Sequence, residues 1–288
     1  MKILFINTWI HPKNLISIQN YKNIHFHTIT NVNDIANYDL SNFDCVFSPT
    51  KIFDISKYPN TKFIFGPHVY LFPGDDMISI CSKNVVYIQP SQWPIDWWKS
   101  SFNVCKYLNM KALPFGVDTL RFNEIKPINE RNQVFIYYKR RNPNELEFIE
   151  TFLRTLKIEY KIFNYVQQYD EKEYMQYLQN SKFGIWLDAH ESQGFALEEA
   201  LSCNVPLLVW NVQSMNQEYA STYTDIPATS IPYWDVRCGE IFYNHTEFTN
   251  VFELFLSKLH TYLPRQYILE NLSMDICEQK LIDVVTNI

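Results

Sequence analysis

Leu187-Asp-Ala-His-Glu191-Ser-Gln-Gly194-Phe-Ala-Leu-Glu198-Glu199-Ala-Leu-Ser-Cys203-Asn204-Val-Pro206-Leu-Leu-Val-Trp210 reads as strand, loop, helix and strand in succession. The apolar run Phe183 to Leu187 ends on a polar loop carrying Glu191. A helix opens near Gly194 and runs through Phe195 to Cys203, and Pro206 to Val209 is the next short apolar run. A helix that starts this way leaves its first-turn N–H groups without intrahelical partners and turns the positive end of its dipole toward the strand end, a geometry suited to a phosphate. Gly194 adds no side chain to block a close approach to Phe195 and Ala196 in that first turn. Glu191 then stands at the mouth of the site, and Glu199 lies more than one turn further along. Carboxylates accept hydrogen bonds from paired hydroxyls, so one can meet a sugar and the other a ribose. On residue type alone, Glu198 and Glu199 read equally as solvated helix residues, and Glu191 as a charge favoured by the dipole.

The same strand and helix alternation runs through the rest of the chain. Apolar runs at Ile3–Ile6, Ile24–Ile29, Cys45–Phe47, Lys62–Phe65, Val85–Ile88 and Met110–Leu113 precede a second series at Gln133–Tyr138, Glu159–Phe163, Phe183–Leu187, Pro206–Val209 and Glu240–Phe242. Helices are expected over Ser91–Phe102, Asn144–Leu156, Asp170–Gln179, Phe195–Cys203, Glu247–Leu263 and about 273–287. Alternation of this kind predicts two α/β units, each a parallel sheet covered by helices. Pro114-Phe-Gly-Val-Asp118-Thr-Leu-Arg-Phe122 and the polar stretch Glu124–Asn132 are turn and linker chemistry. The boundary therefore falls between an N-terminal domain, 1–116, and a C-terminal domain, 117–288, with the closing helix free to pack back on the first. In open parallel sheets ligands lie beyond the carboxyl ends of the strands, which places the expected site in a crevice between the domains.

Composition excludes several classes. At 288 residues and 47% hydrophobic, the chain has ample core, and its net charge of −6 argues against binding nucleic acid or anionic membrane by charge alone. Its six glycines stand at least eight positions apart, so neither G-x-G-x-x-G nor G-x-x-x-x-G-K-[ST] occurs. Cys45, Cys81, Cys105, Cys203, Cys238 and Cys277 include no C-x-x-C pair and fit buried, reduced thiols, hence a cytoplasmic setting. No signal peptide or 18-residue apolar stretch is present, which leaves only peripheral membrane association open. His25 and His27 lack a third ligand, His190-Glu191 does not continue to H-E-x-x-H, and no D-x-D occurs, so no metal site is expected. The absence of G-x-S-x-G removes the usual serine-hydrolase elbow.

Two segments resemble the retaining glycosyltransferases of the GT-B fold, glycosyltransferase group 1 or family 4. In that family a Glu-x7-Glu element runs on as Glu-Ala-Met-Ala-x-Gly-x-Pro-Val-Val. Glu191 and Glu199 have that spacing, and Glu199-Ala-Leu-Ser-Cys-Asn204-Val-Pro206 follows the continuation, with Asn204 where the family usually has glycine. Asn tolerates the left-handed conformation such a helix end requires. Pro114-Phe-Gly-Val-Asp118-Thr-Leu-Arg-Phe122 is similar to the family's interdomain Pro-x-Gly-Val-Asp-x-x-x-Phe. The resemblance implies two Rossmann-like α/β/α domains facing a central cleft, with a nucleotide-diphosphate sugar on the C-terminal domain and a glycan, lipid or protein-linked acceptor on the N-terminal one. It further implies a hexosyl or related transfer with retention and without metal or other cofactor. Glu199 would then bind the ribose and Glu191 the transferred sugar. Lys139-Arg140-Arg141 follows the first strand of the second domain, where the family holds the diphosphate, although the spacing differs from Gly-Arg-x5-Lys; Lys139 and Arg140 are preferred over Arg141.

In the first domain Phe65-Gly-Pro-His68 follows a strand, so His68 is placed as a catalytic candidate by position. Ser91 is expected to cap the next helix, with contact to the acceptor a second role, and Trp93 to pack or stack on a sugar. A sugar-nucleotide epimerase, a sugar phosphorylase and a non-catalytic sugar- or nucleotide-binding module are the alternatives that share this domain plan. Neither the oligomeric state nor the identity of donor and acceptor is legible.

Overall fold

The computed structural model describes residues 1–288, which form two compact units: Met1–Gly116 together with Met274–Ile288, and Val117–Ser273. In the first unit β1 (Lys2–Ile6), α1 (Pro12–Asn20), β2 (His25–Ile29), β3 (Cys45–Ser48), β4 (Phe63–Phe65), β5 (Val85–Gln89), α2 (Gln92–Ser101) and β6 (Met110–Ala112) build a six-stranded sheet in the order β2-β1-β3-β4-β5-β6. Every pairing is parallel. The central strands β3, β4 and β5 are buried along their whole length, which is why they read as unbroken apolar runs and not as alternations. The chain winds outward in one direction to β2 and in the other to β3, so the topological switch point lies between β1 and β3.

The second unit repeats the plan with β7 (Gln133–Lys139), α3 (Pro143–Thr155), β8 (Lys161–Asn164), α4 (Glu171–Leu178), β9 (Ser181–Asp188), α5 (Phe195–Ser202), β10 (Leu207–Trp210), β11 (Gly239–Phe242), α6 (His245–Ser257) and α7 (Pro264–Asn271). The parallel sheet runs β11-β10-β9-β7-β8, and its switch point falls between β7 and β9. Its core contains the Tyr137 and Trp186 rings stacked at 3.9 Å on adjacent strands. The helix expected over Glu247–Leu263 ends early, and a further helix beyond it was not expected. α6 stops at Ser257, and Pro264 opens α7 with Leu263 held out of the helical region at φ −134° and ψ 54°, as a residue before proline is. β8 begins at Lys161, two residues later than its apolar pattern implied. The final helix α8 (Met274–Thr286) belongs to the first unit. Its buried Glu278 accepts from the backbone of Asn23 (2.5 Å) and Ile24 (3.1 Å), and so closes the entry to β2. A Cβ at Gly116 would lie 2.7 Å from the Met274 Cα, so this crossing requires glycine.

Asn204 takes the left-handed conformation expected of it, at φ 59°. Its side chain explains why a residue larger than glycine stands there: Nδ2 donates to Glu124 at 3.0 Å and Oδ1 accepts from the Arg265 backbone at 3.3 Å. The segment before the second sheet is locked to the same helix. Asp118 Oδ1 accepts from the backbone of Leu120 and Arg121, and the Phe122 carbonyl accepts from Ser202 (2.6 Å) and Arg265 (3.1 Å).

Candidate functional site

The carboxyl ends of β7 and β9, the two strands flanking the switch point of the second unit, bring together an ammonium and two carboxylates. Lys139 closes β7, Asp188 closes β9, and Glu191 follows in the loop whose backbone N–H donates to Thr229 at 3.0 Å. Lys139 Nζ is hydrogen bonded to Glu191 Oε1, lies 3.9 Å from Asp188 Oδ1 and sits 4.6 Å from the centre of the Tyr165 ring. Burial works against the charged lysine, yet the Asp188 and Glu191 charges outweigh it and hold its pKa above the ordinary value. Asp188 is 2% exposed. Burial drives its carboxyl well above the usual range, with Lys139 opposing and the Glu191 charge reinforcing. The site thus holds a fixed cation beside one carboxylate, Glu191, and one carboxyl, Asp188, biased toward its neutral form.

α5 starts immediately beyond. Gly194 is its N-cap at φ 92°, which only glycine adopts without strain, and itself brings no capping side chain. The N–H of Glu198 is the first to bond back within the helix, to the Gly194 carbonyl, and the amides of Phe195 and Ala196 lie in the first turn at the positive end of the dipole. Both acidic residues of the helix are buried, not solvated: Glu198 accepts from Gln193 Nε2 at 3.0 Å, and Glu199 is 4% exposed. Tyr174 donates to the Ala196 carbonyl at 2.9 Å. The Tyr169 and Tyr174 phenols are raised in pKa, by burial first and by the Glu199 charge among others.

The three consecutive basic residues separate completely. Arg140 adopts the left-handed φ of 49°. Its own guanidinium is 52% exposed and pairs with Glu218 at 2.9 Å, and Glu218 also lies 3.4 Å from His190. Arg141 is fully buried. It grips Glu145 through two nitrogens at 2.8 and 2.9 Å and donates to the carbonyls of Asp188 (3.1 Å) and Trp210 (2.7 Å), tying the ends of β9 and β10 to the start of α3. Beside Lys139, the residues Arg140, Tyr165, Val166, Gln168 and Tyr169 line a hollow of about 530 Å3.

In the first unit His68 follows β4. Asn14 of α1, 3% exposed, places Nδ2 3.1 Å from His68 Nε2, and the Trp9 ring stands edge-on at 5.0 Å. Donation from Asn14 makes Nε2 an acceptor and leaves the ring proton on Nδ1. Burial, with the nearby His11 charge, lowers its pKa from 6.5 to about 4, so the imidazole is neutral at neutral pH. The unfolded chain takes up this proton near pH 6.5 while the folded one resists until about 4. Stability therefore falls as pH drops through that window. The expected result is that His68→Gln flattens this part of the urea midpoint against pH. Ser91 occupies the N-cap position of α2 and is buried, but its hydroxyl makes no capping bond, in contrast to the expected role. Trp93 is half-buried on α2.

Sequence reasoning missed Asp188, Tyr165 and Trp9. Asp188 carried a signal, being the one acidic residue that closes an otherwise apolar run. Side chains do not converge into a group of three or more His, Cys, Asp or Glu that could hold a metal ion, and no helix is long and apolar enough to cross a membrane.

No family model and no curated protein sequence matches this chain. Solved structures do. The N-terminal domain of trehalose-6-phosphate phosphatase from Candida albicans aligns at TM-score 0.53 and 10% identity, over 99% of this chain and 89% of that one. The catalytic domain of starch synthase IV from Arabidopsis thaliana, bound to ADP and acarbose, aligns at 0.52 and 10%, over 85% and 72%. Sucrose-phosphate synthase from Thermosynechococcus elongatus aligns at 0.50 and 10%, over 85% and 73%. With two parallel Rossmann-like sheets in the order described, these similarities define the class of fold: the chain is a two-domain α/β protein of the GT-B type.

Proposed function

We propose that the chain is a glycosyltransferase that moves a hexosyl or related sugar from a nucleotide-diphosphate donor to an acceptor hydroxyl, with retention of anomeric configuration and without a metal ion. The observation that carries this reading is the Lys139 ammonium at the switch point of the second unit, paired with Glu191 just before the helix start opened by Gly194. In the proposed reaction the C1–O bond to the diphosphate breaks and its electron pair passes to the leaving phosphate oxygen. Lys139, Arg140 and the amides of Phe195 and Ala196 stabilise the charge that develops there. The acceptor oxygen bonds C1 from the same face, and its proton goes to the departing phosphate. Donor binding draws Lys139 from Glu191 to phosphate, which frees Glu191 to accept from hydroxyls of the transferred sugar. Glu199 accepts from the ribose, and the hollow beside Tyr165 and Tyr169 receives the base. His68 offers its Nδ1–H to a sugar hydroxyl. Ser91 and Trp93 are assigned to the acceptor, a glycan, lipid or protein-linked sugar, bound by the first unit. The ADP bound in the starch synthase neighbour is in keeping with this choice of donor class, and a cytoplasmic location suits a donor of that class.

A thermal-shift panel of UDP-, GDP-, ADP- and CMP-sugars tests the donor site. A ligand at a hundred times its Kd stabilises the folded form by about 2.7 kcal/mol. One of the four is expected to raise the midpoint in the wild type, and Glu199→Gln is expected to abolish that rise while leaving the unliganded midpoint close to wild type. Stabilisation by none of the four, or an undiminished rise in the variant, refutes the assignment. Incubating the stabilising donor without acceptor separates transfer from epimerisation, which would return an isomerised sugar nucleotide.

A further inference from the structure

The switch point of the first unit carries a second constellation, of which the proposed reaction uses only His68. β1 ends at Ile6, and the next residues place Thr8 and Trp9 at its carboxyl end. Thr50 follows the neighbouring β3, and His68 follows β4. Three adjacent strands therefore deliver an indole, a hydroxyl pair and an imidazole to one edge of the sheet, the edge at which open parallel sheets bind ligands. The Thr8 and Thr50 hydroxyls are hydrogen bonded to each other. Trp9 is 55% exposed although the chain around it is tied down. The Asn7 N–H donates to Ile29 at 2.8 Å, Ile10 is buried, and His11 caps α1 by accepting from the Lys13 N–H at 3.3 Å. An isolated exposed aromatic is ordinary on a protein surface. This one differs because its neighbour is built: buried Asn14 fixes the His68 tautomer, so that a neutral ring presents Nδ1–H beside the indole.

We propose that Trp9 and His68 form a carbohydrate platform, on which a pyranose ring of the acceptor lays its C–H face on the indole while one of its hydroxyls accepts from His68 Nδ1–H. An aromatic face beside a few fixed polar groups matches the amphipathic surface of a sugar ring, and a preordered donor and loop reduce the ordering cost of binding. The assignment to the acceptor rests on the glycosyltransferase reading; the binding of a pyranose does not.

The test uses the full chain labelled with 15N and the methyl glycosides of glucose, galactose and N-acetylglucosamine as probes. The Trp9 indole N–H resonance is identified by its loss from the spectrum of Trp9→Phe. At least one glycoside is expected to shift it saturably, and the affinity for that glycoside is expected to fall about tenfold or more in Trp9→Ala, equivalent to about 1.4 kcal/mol. Recovery of most of the affinity in Trp9→Phe, and its loss in His68→Ala, complete the expected pattern. A Trp9 resonance unmoved by all three glycosides, or wild-type affinity in Trp9→Ala, overturns the proposal. Failure of the transferase reading would be seen separately, as a wild-type protein that no sugar nucleotide stabilises.

Discussion

Replacing Lys139 with methionine is expected to lower transfer by roughly 10²–10³ in kcat, the usual cost of removing one group that stabilises charge developing in a transition state. The same substitution removes the ammonium that pairs with Glu191 and faces buried Asp188, and so also lowers stability. Both effects follow from the same geometry, because Lys139 stands between Asp188 and Glu191 at the ends of adjacent strands. The pH dependence separates them. Asp188 is already raised by burial with Lys139 opposing, so loss of the lysine lifts its folded pKa further. Below the unfolded carboxyl pKa both states hold the proton and nothing is lost. As pH rises past it, the unfolded state ionises while the folded one resists, so the variant loses most stability toward neutral and alkaline pH. Urea midpoints at pH 5 and pH 8 should therefore diverge more in Lys139→Met than in the wild type, whereas the loss of transfer persists at both. Equal midpoint differences would remove Asp188 from this account.

Arg141 is expected to give the largest purely structural effect. Its guanidinium satisfies the Glu145 carboxylate and two strand-end carbonyls from a position with no solvent exposure. Arg141→Met removes the donor to two strand-end carbonyls and to half-buried Glu145, at a cost of about 3–5 kcal/mol read as a lower urea midpoint of the second unit. Arg141→Lys should not restore it, because an ammonium cannot reproduce the planar fork that reaches Glu145 and both carbonyls together. The exposed neighbour provides the contrast. Arg140→Met breaks a pair in which the guanidinium is half in solvent, and its midpoint should move by less than about 1 kcal/mol. A small effect at Arg141, or rescue by lysine, would contradict the role the structure gives it.

Much of this architecture was legible because it is written in local terms. Buried parallel strands must be continuous apolar runs, and such runs marked nine of the eleven strands to within one residue, with the starts of the eighth and ninth each displaced by two. The start of α5 at Gly194 and the left-handed turn at Asn204 follow from the backbone preferences of single residues. Pro264 bounds the helix expected up to Leu263 and, as a first-turn proline, opens α7, which lay outside every expected helix.

The sequence by itself determined where strands and helices run, how the two units alternate, and that acidic and basic residues gather at strand ends. Only the tertiary structure decided what those residues do. Lys139, Arg140 and Arg141 are chemically similar neighbours, yet one meets Glu191 across 52 positions, one meets Glu218 across 78, and one disappears into the core. The pairing of Asn14 with His68 spans 54 positions in the same way. Periodicity records which face of an element is buried. Which partner waits there depends on the order in which strands assemble, and burial and charge at that meeting place set the protonation on which the chemistry depends.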